Sequence, residues 1–111
     1  MRILLDECVH AGVKAAFRGH SVQTVSGMGW RSSKDDWLLR AAQERFDVFV
    51  TIDQNLPRQF ALAKFRLGFV IARVPSNEIK SYAPLFDELL LAAESVRPGQ
   101  VMFVGNAPPR R

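Results

Sequence analysis

Two continuous apolar runs that each break on an aspartate constrain this chain more than any other feature. Ile3-Leu4-Leu5 stops at Asp6, and Val48-Phe49-Val50-Thr51-Ile52 stops at Asp53. A short run without polar alternation is the pattern of a strand buried on both faces, as in a parallel sheet covered by helices. The stretches between and beyond these runs carry helical spacing, so strands alternate with helices along the chain.

Val9, Val13, Ala16 and Phe17 form one helical face that closes at Gly19. Ser21 to Val25 reads as a second strand, followed by the flexible Ser26-Gly27-Met28-Gly29. Ser32 or Ser33 is placed to cap the next helix, whose stripe is Trp37, Leu38, Ala41 and Ala42 and whose first turn holds Asp35 and Asp36. After Asp53 come the turn residues Gln54, Asn55 and Pro57, then a short helix around Arg58 to Phe65. Phe69-Val70-Ile71-Ala72 supplies a fourth strand, and Asn77 is the expected cap of a long helix bearing Ile79, Tyr82, Ala83, Phe86, Leu89, Leu90 and Ala93, with Pro84 near its start. Gln100 to Val104 makes a last edge strand.

The expectation is therefore an α/β fold: a three-layer sandwich around a mostly parallel sheet of four or five strands, in the order 2-1-3-4 or 2-1-3-4-5, with right-handed crossovers. Residues 1–105 form a single domain and 106–111 a disordered tail. In that order the first and third strands are neighbours, and the winding direction switches between them. The crevice opened at their carboxyl ends is where open α/β sheets bind ligands. Asp6 and Asp53 both fall there, and the loop from the second strand brings the helix opening at Asp35 to the same end.

Clustered carboxylates repel one another unless something positive compensates them. Mg²⁺ and Mn²⁺ take oxygen ligands and retain waters, so Asp6, Asp35 and Asp53 are candidate metal ligands and catalytic residues. Each has a plainer role available. A first-turn acid complements the helix macrodipole, and an acid after a strand makes local turn bonds. Asp36 is the substitute for Asp35 if the helix register differs. Glu7 is either a fourth acid or the start of the first helix, and Thr51, two residues before Asp53 on the same strand face, is either a brace for an acid or a β-branched filler. His10 and His20 are too isolated for a zinc site, and the lone Cys8 excludes a disulfide framework. There is no glycine-rich nucleotide loop.

Fifteen Lys and Arg against eleven Asp and Glu give a net charge of +4, which permits a polyanionic partner without requiring one. No segment approaches the roughly 18 apolar residues of a membrane span, and Met1-Arg2-Ile3 runs directly into a strand, so an unprocessed cytoplasmic protein is expected. With 48% hydrophobic residues on so short a chain, a homodimer is expected through the long helix, using Tyr82, Leu85 and Leu91.

Leu4-Leu5-Asp6-Glu7-Cys8, Gly29-Trp30, Lys34-Asp35-Asp36-Trp37-Leu38-Leu39, Phe46 through Pro57 with its Val-Thr-Ile-Asp-Gln-Asn-Leu core, and Arg97-Pro98-Gly99 together resemble a bacterial PIN-like family. The resemblance covers most of the chain. It implies a Mg²⁺- or Mn²⁺-dependent ribonuclease acting as the toxin of a toxin-antitoxin pair, with RNA as substrate and a small antitoxin protein masking the site. It assigns Asp6, Asp35 and Asp53 as the acids, and extends to Asn55 and Gln59 in the turn that follows. Full PIN domains carry another acid on helices inserted between the first two of these positions; the stretch here is too short for them, and Glu7 is the candidate replacement. Two rivals remain: a non-catalytic PIN-like binding protein, and a phosphoacceptor receiver domain. Receivers want Thr or Ser after the fourth strand and Lys after the fifth, where this chain has Pro75-Ser76 and Gly105-Asn106.

Overall fold

The runs that read as buried strands pair in parallel to form the central sheet. In the computed structural model, which describes residues 1–105, β1 (Arg2–Leu5), β2 (Ser21–Thr24), β3 (Val48–Thr51), β4 (Gly68–Ala72) and β5 (Val101–Val104) lie in the order β2-β1-β3-β4-β5, all parallel. The tail expected at 106–111 lies outside the described residues.

Side-chain alternation divides the core into two layers. Ile3, Leu5, Val48, Val50, Val70 and Ala72 face one side, where they meet Val13, Phe17, Tyr82, Leu89 and Ala93. Leu4, Phe49 and Phe69 face the other, against Leu38, Leu39, Ala42, Leu56 and Leu62. A helical layer thus covers each face, and the architecture is the three-layer α/β sandwich.

Several local expectations are corrected. The segment after β1 is a 3₁₀ helix, Ala11–Ala16, rather than an α-helix, although Val9, Val13, Ala16 and Phe17 are all buried as the spacing required. The tighter winding is set by His10, whose ring accepts a hydrogen bond from the Gly12 amide. α1 (Asp35–Gln43) starts at Lys34, with neither Ser32 nor Ser33 capping it; Asp36 accepts from the Trp37 amide instead. Its buried stripe is Leu38, Leu39 and Ala42, while Trp37 is 48% exposed. The helix expected over Arg58 to Phe65 divides into α2 (Leu56–Gln59) and a 3₁₀ turn at Leu62–Lys64, because Phe60 turns extended. Asn77 caps nothing: its Oδ1 accepts from the His10 amide and the Tyr82 hydroxyl, tying the loop after β1 to the last helical segment. That segment is broken at Pro84 into α3 (Ile79–Tyr82), a 3₁₀ turn at Ala83–Leu85 and α4 (Phe86–Ser95). Tyr82 is fully buried, which removes it from the dimer surface; Leu91, at 64% exposure, remains outside.

The crossovers do not share one hand. The link from β1 to β2 moves one way across the sheet on the face of Val13, and the links through α1 and α2 move the other way on the opposite face. Those three have the same hand. The link from β4 to β5 also moves in the second direction, yet α4 packs on the Val13 face, beside the 3₁₀ helix. Its hand is therefore opposite to the other three, against the strong general preference for right-handed crossovers. On that face α4 and the six-residue 3₁₀ helix together cover Val50, Val70 and Ala72.

Candidate metal-binding and catalytic site

Asp6 and Thr51 lie on the α1 side of the sheet, two residues beyond Leu4 and Phe49 respectively. They meet at the carboxyl end. Thr51, the buried polar residue of the core, donates its hydroxyl to Asp6 Oδ2 at 2.7 Å and accepts from the Asp53 amide at 3.1 Å. The other Asp6 oxygen accepts from the Glu7 amide at 2.8 Å. Thr51 thus braces one acid by its proton and holds the second acid's backbone through its lone pair, so it is not a passive strand filler.

Asp53 also folds its own turn, with Oδ1 accepting from the Asn55 amide at 3.0 Å. The plain structural role and the position in the crevice coexist. Glu7 reaches the loop before α1, where Oε1 accepts from the Ser32 amide at 3.0 Å. Ser32 has φ of +61°, a left-handed conformation uncommon for a residue with a Cβ. Glu7 therefore fastens a strained turn whose result is to deliver α1's first residues to the end of β1.

The two first-turn acids separate in role. Asp36 bonds the Trp37 amide and pairs with Arg40 at 3.1 Å, one turn along the helix. Asp35 has no such partner, and its carboxyl is pushed above the ordinary aspartate range, first by partial burial and then by the charges of Asp6, Asp53, Asp36 and Glu7. Among the described residues Asp6, Glu7, Asp35 and Asp53 form no ion pair, whereas Asp36, Glu44, Asp47, Glu78, Asp87 and Glu94 each have a basic partner. Five acids are left without a basic partner among the described residues: these four, on the β1, β3 and α1 segments of the switch point, and Glu88 on α4.

The remaining candidates contribute less. Asn55 precedes α2 with its side chain exposed, and Gln59 ends α2, exposed and without a hydrogen bond to the acids. Cys8 has its sulfur 3.4 Å from Asp6 Oδ2 and 3.6 Å from the Thr51 hydroxyl; burial first, then the neighbouring Asp6, pushes the thiol's pKa up, which keeps it a protonated, unreactive donor. Ser76, where a receiver would need a hydroxyl, is bonded to Glu78 and Ser81. Sequence reasoning did not single out Arg73 and Phe103, which stand on the same side of the sheet as Thr51. The signal was present in the alternation along β4 and β5.

Whether an ion suits this place depends on its coordination habit. No group of three His, Cys, Asp or Glu side chains converges tightly enough to form a ready cage among the described residues. Mg²⁺ does not demand one, since it is commonly held by one or two carboxylates and keeps its waters. Asp6, Asp53 and Asp35 offer oxygen donors of the kind such an ion takes, without converging into a group of three. Comparison with protein-family models, curated proteins and solved structures returns no match. No helix among the described residues is long and apolar enough to cross a membrane.

Proposed function

We propose that the chain is a metal-dependent endoribonuclease whose working groups are Asp6, Asp35 and Asp53, with Thr51 and Glu7 positioning them. The observation that carries this reading is the group of acids without ion pairs at the switch point, where Thr51 bonds both Asp6 and the Asp53 amide and Asp35 opens α1. Asp6 presents an orientation fixed by two donors, and Asp53 one fixed by its turn. A cation would relieve Asp35, whose pKa is raised first by partial burial and then by the charges of Asp6, Asp53, Asp36 and Glu7. Mg²⁺ or Mn²⁺ bound there supplies Lewis acidity and a water of lowered pKa for in-line attack on a phosphodiester.

The resemblance to PIN-like proteins gives the setting: a cytoplasmic toxin that cuts RNA, pairs as a homodimer through the Leu85 and Leu91 side of its last helix, and is silenced by a small antitoxin seated over the acids. The test is cleavage of a panel of single-stranded RNAs by protein freed of any partner, with Mg²⁺, Mn²⁺ or a chelator. Asp6→Asn and Asp53→Asn should each abolish cleavage while leaving the circular dichroism spectrum unchanged. Absence of metal-dependent cleavage by wild type, together with an Asp53→Asn variant that takes up metal as wild type does, would overturn the proposal. One observation favours a non-catalytic binding protein as the second reading: the absence of a preformed three-ligand group among the described residues. That reading expects RNA retention without turnover.

A further inference from the structure

Phe103 is a large aromatic residue on a sheet face, and it is 42% exposed. Its position follows from the register. Thr51 pairs with Ile71, and Ile71 with Phe103, so the three form one row across β3, β4 and β5 on the side that carries Asp6. Two strand spacings, about 10 Å, separate Phe103 from Thr51. Thr51 and Ile71 are fully buried in this row, and Phe103 stands exposed at its end, on the edge strand, where the crossover into β5 runs along the other side of the sheet. Arg73, two residues past Ile71 and hence on the same side, lays its guanidinium over the Phe103 ring at 4.2 Å from the centroid. It has no ion pair among the described residues, although Arg2, Arg18, Arg40 and Arg66 all have one.

A guanidinium held over a ring is pre-ordered, and Arg73 has no salt bridge among the described residues to occupy its donors. The edge is matched to a phosphate and the flat face to an unstacked base. We infer that Arg73 and Phe103 form a subsite for single-stranded nucleic acid, which holds a nucleotide neighbouring the one that lies over Asp6 and Asp53. The inference rests on the nuclease reading for the direction of the strand, but the subsite itself needs no metal. A duplex, whose bases are already stacked on one another, offers the subsite only phosphate. An acidic protein segment would use the Arg73 charge but not the ring.

The experiment measures binding of a fluorescent oligouridylate, and of an RNA duplex of equal length, to the full chain in chelator at several salt concentrations. Arg73→Gln and Phe103→Leu should each weaken the single strand roughly tenfold, in keeping with the loss of one stacked base, and should change duplex binding much less. Arg73→Gln should also lower the salt slope by about one phosphate contact. Phe103→Tyr, which keeps the stack, should bind as wild type, and melting curves verify that each variant is folded. Equal single-strand affinity for wild type, Arg73→Gln and Phe103→Leu would overturn the subsite, as would losses that are the same for duplex and single strand. Cleavage that persists despite this result would leave the nuclease reading standing without the subsite. Single-strand binding that depends on both residues, with no metal-dependent cleavage, would uphold the subsite and remove the nuclease reading.

Discussion

Replacing Thr51 by valine preserves shape at a position with no solvent exposure and removes only the hydroxyl. That hydroxyl serves two partners, Asp6 Oδ2 at 2.7 Å and the Asp53 amide at 3.1 Å. A hydrogen bond to a charged acceptor contributes about 1.5–3 kcal/mol and the neutral one about 1 kcal/mol. The extra methyl returns roughly 0.8 kcal/mol of apolar burial, so Thr51→Val should destabilise by about 2 kcal/mol. Thr51→Ser keeps both bonds and loses one buried methyl, for about 1 kcal/mol. Urea unfolding followed by the fluorescence of Trp30 and Trp37 reads the difference, and the valine variant should melt on the order of 10 °C below wild type. A double-mutant cycle with Asp6→Ala should show a coupling of about 1–2 kcal/mol. A valine variant as stable as the serine variant, or a cycle with no coupling, would refute the idea that Thr51 braces the acid. The two variants should also part in function, serine retaining metal-dependent cleavage and valine losing most of it.

Asp35→Asn tests the acidic field by pH. A carboxyl with a raised folded pKa contributes stability that is fully present below its unfolded value, about 3.9, and is lost as pH climbs through the folded value. The asparagine variant lacks that loss, so its stability relative to wild type should improve as pH rises across this window, and Mg²⁺ should shrink the improvement by stabilising wild type more. A difference that stays flat with pH in chelator would contradict the field. Gly105→Ala should destabilise by about 2–4 kcal/mol, because at φ +93° the added Cβ meets the Arg73 carbonyl, whereas Gly19→Ala, at φ +85° with open space around it, should lose only about 1 kcal/mol from strain; equal losses in urea unfolding would remove the clash from the account. Sedimentation of wild type and Leu91→Asp across the micromolar range tests the homodimer, which predicts a concentration-dependent mass for the first alone.

How far the fold was legible depends on which interactions fixed each element. Ile3-Leu4-Leu5 and Val48 to Val50 are buried on both faces and were readable as parallel strands, because burial leaves no room for polar alternation. From them the order β2-β1-β3-β4-β5 and the common end for Asp6 and Asp53 followed. Helix ends were less legible. Ser32 and Ser33 looked like caps, but the cap depends on a left-handed Ser32 held by Glu7, twenty-five residues away in sequence. Asn77 also looked like a cap and is instead taken by His10 and Tyr82. In both cases a long-range partner outbid the local one, and local pattern carries no trace of such a competitor. The Asp35 and Asp36 choice was open for a similar reason: both suit a first helical turn, and only the Arg40 pairing sends Asp36 along the helix.

The unexpected hand of the last crossover connects the core to the open edge of the site. Had α4 crossed on the α1 side, it would lie over β4 and β5 there, burying Phe103 and occupying the space beside Thr51. Face coverage decided otherwise. The first crossover is a six-residue 3₁₀ helix, too small to shield Val50, Val70 and Ala72, and α4 with its buried Leu89, Ala92 and Ala93 is the remaining segment able to do it. The opposite hand thus places α4 beside the short first crossover, where the two share one face of the sheet. Its consequence is that Phe103 stays exposed on the α1 side of β5, with the Arg73–Phe103 stack on the same side of the sheet as Asp6 and the buried Thr51. A chain with a full α-helix after β1 could cover that face with less help from α4, which would then be free to cross on the other side and bury a residue at the position of Phe103.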